Sequence, residues 1–238
     1  MRTNFFSSAK DFGRHSKTLI IFLLLLLAPF SLFAQGILTA SSFFKQVSET
    51  YSTIKDYEAD LSIKAGKSSM SGHISYKYPD LLRIDFTNPE EQVICFNGDL
   101  LTIYLPGSAA ILNQTVDSSS SNKGANMATA QGLSLLSRYY SPAYEVGQEP
   151  VPLEDDSDEK VIKLILRRRN VSEAFSIIKI AVTPENMLIR RIEASTPQNE
   201  TFSFDFRNYS INKGISDQRF IYDPPTSANN YNNFLFSE

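Results

Sequence analysis

The stretch "GHISYKYPDLLRIDFTNPEEQVICFNGDLLTIYLP", residues 72–106, is a series of short alternating runs cut by turn residues. Leu82, Ile84 and Phe86 fall on one side of an extended chain, and Arg83 and Asp85 share the other side with Leu81. "PD" (79–80), "TNPE" (87–90) and "GD" (98–99) interrupt the pattern. Turn signals about ten residues apart are the rhythm of an antiparallel meander. An arginine inside such a strand either pairs in solvent with a neighbour such as Asp85 or has a task on its face of the sheet.

The pattern extends in both directions. Upstream lie "YEADLSI" (57–63) and "MSGHISYKY" (70–78), and downstream "AAILNQTV" (109–116). After a break come "AYEVGQEPV", "KVIKLILRRR", "AFSIIKIAV", "MLIRRIEAS" and "ETFSFDFRNYSI", and "FIYDPP" (220–225) reads as a last short strand. In "FSFDF", Phe202, Phe204 and Phe206 face one way while Ser203 and Asp205 face the other. The count is about eleven strands, in agreement with 17 Phe and 11 Tyr, residues that favour pleated surfaces.

Two helices accompany the strands. In "TASSFFKQVSETYSTIKDY" (39–57), Phe43, Phe44, Val47, Tyr51 and Ile54 recur at helical spacing behind a cap at Ser41 or Ser42. "DSSSSNKGAN" (117–126) reads as a flexible polar loop. In "MATAQGLSLLSRYY" (127–140), Met127, Ala130, Leu133, Leu136 and Tyr140 share one helical face. Gly132 weakens that helix by about 1 kcal/mol relative to alanine, which suits an element that moves as well as an irregular connection. A long twisted sheet curls, and an unclosed one needs a cover for its concave face. The two amphipathic helices are the candidates.

Residues 1–34 read as a cleaved export signal. Arg2, Lys10, Arg14 and Lys17 precede an apolar run from Leu19 to Ala28, and small Ala34 stands before Gln35. Even extended to Phe33 the run is 15 residues with Pro29 inside it, whereas a membrane span needs about 20. Removing 4 of 23 basic and 1 of 26 acidic residues leaves 19 and 25, a net charge of −6, in the single domain 35–238. That balance argues against nucleic acid and against charge-driven binding to an anionic membrane. Cys95 is the only cysteine, so no disulfide framework or cysteine zinc site is expected, and it reads as a core residue. His73 is the only histidine after residue 34, and no GxSxG, HExxH or phosphate-binding glycine loop is present. No catalytic, metal or cofactor site is expected. "RRRN" (167–170) reads as a small basic patch or a solvated strand end.

The ordered set of export signal, helix, "Y..AD", "G.ISYKYPDLLRIDF..P", "VICFNGDLLTIYLP", interrupting helix, strands and "F.YDPP" resembles the periplasmic lipoprotein carriers, the LolA-like family, over most of residues 41–225. The resemblance implies an unclosed, strongly curved antiparallel barrel with a helical lid. It also implies that Arg83 points into the cavity and latches the lid through helix-end carbonyls. Acyl chains would then lie in a cavity lined, as a group, by Leu82, Ile84, Phe86, Ile94, Phe96, Leu101, Ile103, Phe202, Phe204 and Phe206. The implied partners are acylated lipoproteins, an inner-membrane exporter and an outer-membrane acceptor, served by a periplasmic monomer. A sensor on the same half-barrel and a membrane-anchored acceptor are the alternatives. The chain differs from the better-known carriers in having no Trp, a serine-rich loop before the middle helix and an asparagine-rich tail.

Overall fold

The computed structural model describes residues 38–116 and 127–234. The expected export signal and the serine-rich loop 117–126 lie outside the described residues. Thr39, in extended conformation, caps the first helix: its Oγ1 accepts from the Ser42 amide at 3.1 Å. The cap therefore stands two or three residues before the serines expected to supply it. Helix α1 runs Ala40–Ser52 and buries Phe43, Phe44, Val47 and Tyr51 almost completely. Side chains of that size contribute roughly 1.5–3 kcal/mol each on full burial, enough to hold a helix of this length to the sheet.

Strands β1 (Asp56–Ala65), β2 (Ser68–Lys77), β3 (Leu81–Asn88), β4 (Glu90–Phe96), β5 (Leu100–Leu105) and β6 (Ala110–Thr115) form the expected meander. Helix α2 (Ala130–Tyr139), capped by Thr129, runs directly into β7 (Tyr140–Tyr144). Then follow β8 (Val151–Pro152), β9 (Lys160–Arg168), β10 (Ile177–Val182), β11 (Ile189–Ser195), β12 (Thr201–Ile211) and β13 (Asn229–Asn232). The sheet order is β13-β6-β5-β4-β3-β2-β1-β12-β11-β10-β9-β7, with β8 paired to β9. It is a curved, unclosed thirteen-stranded sheet, antiparallel except where β13 joins β6 in parallel.

The count exceeds eleven because two short pairings carry no sequence period. "AYEVGQEPV" divides between β7 and the two-residue β8, and the asparagine-rich tail contributes β13. "FIYDPP" is not a strand. A 3-10 turn, Asp217–Phe220, ends inside it, and Pro224 and Pro225 have no amide to give to a ladder.

Gly72 fixes one local detail of the meander. A bulge shifts the β2–β3 register between Ser71 and Gly72, and a Cβ at Gly72 would meet the Asp85 carbonyl oxygen at 2.3 Å. Only glycine allows the two backbones to approach that closely.

The largest core cluster joins α1, α2 and one face of the sheet, here the inner face. Tyr57, Ala59, Leu164, Leu166, Ile189 and Ala194 are fully shielded in it. Two smaller clusters lie apart from it, one of Val93, Cys95, Tyr104, Ile111 and Ala228, the other of Leu153, Val161 and Ala181.

Candidate functional site

Residues paired directly across an antiparallel ladder project to the same side of the sheet. Leu82 stands opposite Phe96, and Phe96 opposite Leu101. Ile84 stands opposite Ile94, Ile94 opposite Ile103, and Ile103 opposite Leu112. Phe86 and Leu61 both face Gly72, and Phe206 is opposite Leu61, Phe204 opposite Ile63, Phe202 opposite Ala65. All ten expected cavity residues therefore lie on the inner face.

Their burial is graded. Ile84, Phe86 and Phe206 are buried within the helix-covered core, and Leu82, Ile94 and Phe204 pack against its margin. Phe96, Leu101, Ile103 and Phe202 are only half-buried and stand outside that core. Leu105 and Leu112 continue the half-buried row, and the expected set missed both. Leu105 extends the period of Leu101 and Ile103, and Leu112 alternates with Ile111, so each was within reach of the same pattern. The inner face is thus solid beneath the helices and becomes an apolar shelf along β4–β6.

Tyrosine hydroxyls attach the helical cover. Tyr57 donates to the Ala128 carbonyl just before α2 at 3.2 Å. The Tyr51 hydroxyl on α1 accepts from the Ile189 amide at 3.0 Å and lies 3.3 Å from the Tyr209 hydroxyl, which donates to the Ile189 carbonyl at 2.9 Å. Tyr144 donates to the Leu38 carbonyl at 2.9 Å. Burial pushes the Tyr51 hydroxyl up to about 12 and that of Tyr209 well above the ordinary value, so both stay neutral at physiological pH. Sequence reasoning placed Tyr51 on the apolar face of a helix and gave the hydroxyls of Tyr57, Tyr144 and Tyr209 no role.

Arg83 is on the opposite, outer face, which corrects the expectation that it points into the cavity and latches the helices. Alternation places Leu82 and Ile84 inward, so Arg83 must point outward. There its Nε donates to both Asp85 carboxylate oxygens at 3.0 and 3.1 Å, and Nη2 to Oδ1 at 2.8 Å. Its Nη1 donates to the Arg219 and Ile221 carbonyls at 3.2 and 3.4 Å, and the guanidinium lies 5.3 Å from the centre of the Tyr222 ring. The fork does bind carbonyls at a helix end, but the helix is the Asp217–Phe220 turn. Of the two sequence readings of Arg83, the pairing with Asp85 is present, and the segment that it holds is this outer one instead of the helical cover.

That segment is a strap crossing the outer face from β2 to the β6 edge. Lys77 donates to the Ile215 carbonyl at 2.7 Å and pairs with Asp217. Arg219 pairs with Asp85 and donates to Ser75 Oγ at 3.1 Å. The Cys95 thiol donates to the Phe220 carbonyl at 3.2 Å, and Tyr222 packs near Tyr104. Burial by itself would raise the Asp85 carboxyl, but hydrogen bonds from Arg83 and the charges of Arg219 and Arg83 outweigh it and hold the group below the usual carboxylate range. Burial pushes the Cys95 thiol up, which keeps it protonated and unreactive.

His73 is also on the outer face, 65% exposed, with Nδ1 2.8 Å from Asp60 Oδ1. Among the described residues no serine hydroxyl bonds to it, and no group of three or more His, Cys, Asp or Glu side chains is placed to hold a metal ion. A buried charge cluster escaped sequence reasoning altogether: Arg190 and Arg191 converge on Asp205, both at 2.9 Å, with Arg190 also pairing with Glu159. A bulge opposite Val182 turns both successive arginines to one carboxylate.

A crystal structure of an uncharacterized conserved protein from Thermus thermophilus shares the fold with a TM-score of 0.52 at 10% identity, over 81% of this chain and 98% of that one. The Pseudomonas aeruginosa MucA/MucB complex gives 0.49 at 9% identity, over 80% of this chain and 62% of that one. Mycobacterium tuberculosis lipoprotein LppX gives 0.49 at 9% identity, over 74% and 97%. No curated protein matches in sequence. The family model described as outer membrane lipoprotein carrier protein LolA matches residues 61–223, from within β1 to just past Tyr222 of the outer strap. Residues 61–223 are most of the described chain, and the open curved sheet they build is that of a LolA-like protein, so the chain belongs to the outer membrane lipoprotein carrier protein LolA family.

Proposed function

We propose that this protein is a periplasmic carrier that shields the acyl chains of lipoproteins on its inner face and takes them from the inner to the outer membrane. The observation that carries the reading is the graded inner face. The apolar surface does not stop where the helices stop but continues over Phe96, Leu101, Ile103, Leu105 and Leu112, half-open to solvent. Each methylene moved from water to such a surface gains about 0.8 kcal/mol, so two or three acyl chains gain tens of kcal/mol when shielded. A shelf that continues beneath a hydrogen-bonded cover lets a chain enter at the edge and extend inward as the cover yields. Release needs the same cover to close again. The role is binding and transport, with an inner-membrane exporter loading the cargo and an outer-membrane acceptor receiving it.

Release of a labelled lipoprotein from spheroplasts tests the reading. The wild-type protein is expected to bring the lipoprotein into the soluble fraction. Ile103→Glu places a carboxylate on the half-exposed shelf, where solvation limits the folding cost while the charge opposes an acyl chain. It is expected to fold with little change in melting temperature and to lose most of the release. Lipoprotein that remains in the membrane with the wild-type protein present sinks the carrier reading.

A further inference from the structure

The "RRRN" run has no part in the inner face, yet the fold gives it company. β9 ends in Arg167 and Arg168, paired with Ser141 and Tyr140 of β7. The Arg169 amide donates to the Tyr139 carbonyl at 2.9 Å, and its Nε donates to the Tyr140 carbonyl at 3.1 Å. α2 ends at that point, so Arg138 in its last turn joins Arg167, Arg168 and Arg169 at one end of the sheet. Arg168 braces the following loop by donating to the Val171 and Glu173 carbonyls at 2.9 and 3.3 Å. Among the described residues none of the four arginines has a carboxylate within ion-pair distance. Within residues 138–141 and 167–174 the single carboxylate is Glu173, which is half-buried. Beside these charges stand two exposed apolar residues, Val171 at 81% and Tyr139 at 41%. The same loop carries Phe175, whose ring meets Phe202 of the inner face nearly edge-on, with centroids 6.4 Å apart.

The geometry points to this end as a docking surface for anionic phospholipid headgroups. An acidic chain is repelled from an anionic surface on average, and a local excess of arginine reverses the sign at one place, so attraction also orients the molecule. Guanidinium groups held by backbone carbonyls keep their charge and retain free N–H groups for phosphate. An exposed valine and a tyrosine beside them suit the interface below the headgroups. An acidic protein partner would meet the same charges, but a bilayer interface also accounts for the largely solvated Val171. Docking in this way would bring the Phe175–Phe202 rim of the inner face toward the bilayer. The inference concerns the membrane contact alone and does not need the cargo assignment to hold.

Co-sedimentation with phosphatidylcholine vesicles containing phosphatidylglycerol tests it, comparing the full chain with Arg138→Glu/Arg167→Glu. Both residues are exposed, and neither braces the loop, so the fold should survive, as an unchanged melting temperature would show. Both proteins carry the same apolar run Leu19–Ala28, so its affinity cancels in the comparison. At about 1 kcal/mol per basic residue near an anionic surface, the double reversal is expected to weaken binding by at least about tenfold. Salt at about 0.5 M should remove most of the difference, and Arg138→Lys/Arg167→Lys should retain binding. Uptake of a fluorescent fatty acid should be equal in all three proteins, which separates this result from failure of the carrier reading. Equal sedimentation of wild type and double reversal overturns the proposal. So does an absence of vesicle binding with capture of an acidic protein by a crosslinker at position 167.

Discussion

Arg83 is a side chain whose environment, not its position in the pattern, decides its role. Its fork fills both oxygens of Asp85 and two strap carbonyls, so removing it leaves several partly shielded acceptors without a donor. Arg83→Leu is expected to cost about 1–3 kcal/mol, measured by denaturant unfolding, and to open the chain near residues 221–228 to limited proteolysis. Binding of an acyl ligand on the inner face should be unchanged, because the strap lies on the other side of the sheet. Asp85 adds a pH signature. Its folded carboxyl sits below the ordinary aspartate value of 3.8, so protons prefer the unfolded chain. Its contribution is complete above about pH 4 and fades as pH falls through the depressed folded value. Asp85→Asn should therefore flatten the acid limb of the stability curve and leave the neutral-to-alkaline limb at its lower level; an unaltered acid limb would contradict the assignment.

At the scale of elements, the meander depends on close backbone approach at one bulge. Gly72→Ala sets a methyl against the Asp85 carbonyl at 2.3 Å, and its nearest neighbours there are all backbone, which has no rotamer in which to retreat. The β2–β3 pair must shift, and the register of Ile74 against Ile84 with it. The expected outcome is a large loss of soluble protein, read as yield and as a melting temperature lowered by several degrees in whatever folds. Wild-type yield and stability would show that the bulge is not constrained as described. This scale also shows what the sequence made legible. Strands β1–β6 and β9–β12 were visible because period-two alternation is the direct imprint of one buried face. Helix α1 was visible through Phe43, Phe44, Val47 and Tyr51, although its cap was misplaced, since Thr39, Ser41 and Ser42 offer the same chemistry within three residues. β13 was not visible, because four exposed residues of an edge strand joined by backbone and asparagine bonds leave no apolar period.

For the whole molecule, the two faces of one sheet do different work. The inner face holds the helices and ends in the apolar shelf, while the outer face holds the strap through Arg83, Asp85, Arg219 and Cys95. The ten inner-face residues were legible as a set because register keeps alternate residues together. The outward role of Arg83 was not, because alternation tells that it opposes Leu82 but not which side the helices cover. The buried Arg190–Asp205–Arg191 cluster was hidden for a related reason: a bulge breaks the alternation that a reader of sequence relies on. The basic end at Arg138 and Arg167–Arg169 needed the pairing of β7 with β9 to bring together residues almost thirty positions apart.

The most direct test of the account is to load the protein with a lipopeptide whose acyl chain carries a photoreactive diazirine, irradiate, and locate the crosslinks by mass spectrometry. The account predicts adducts on the inner face, concentrated on Phe96, Leu101, Ile103 and Leu112 and extending to Leu82 and Ile94. Adducts confined to the outer face, or none above the level given by the Ile103→Glu variant, would contradict it.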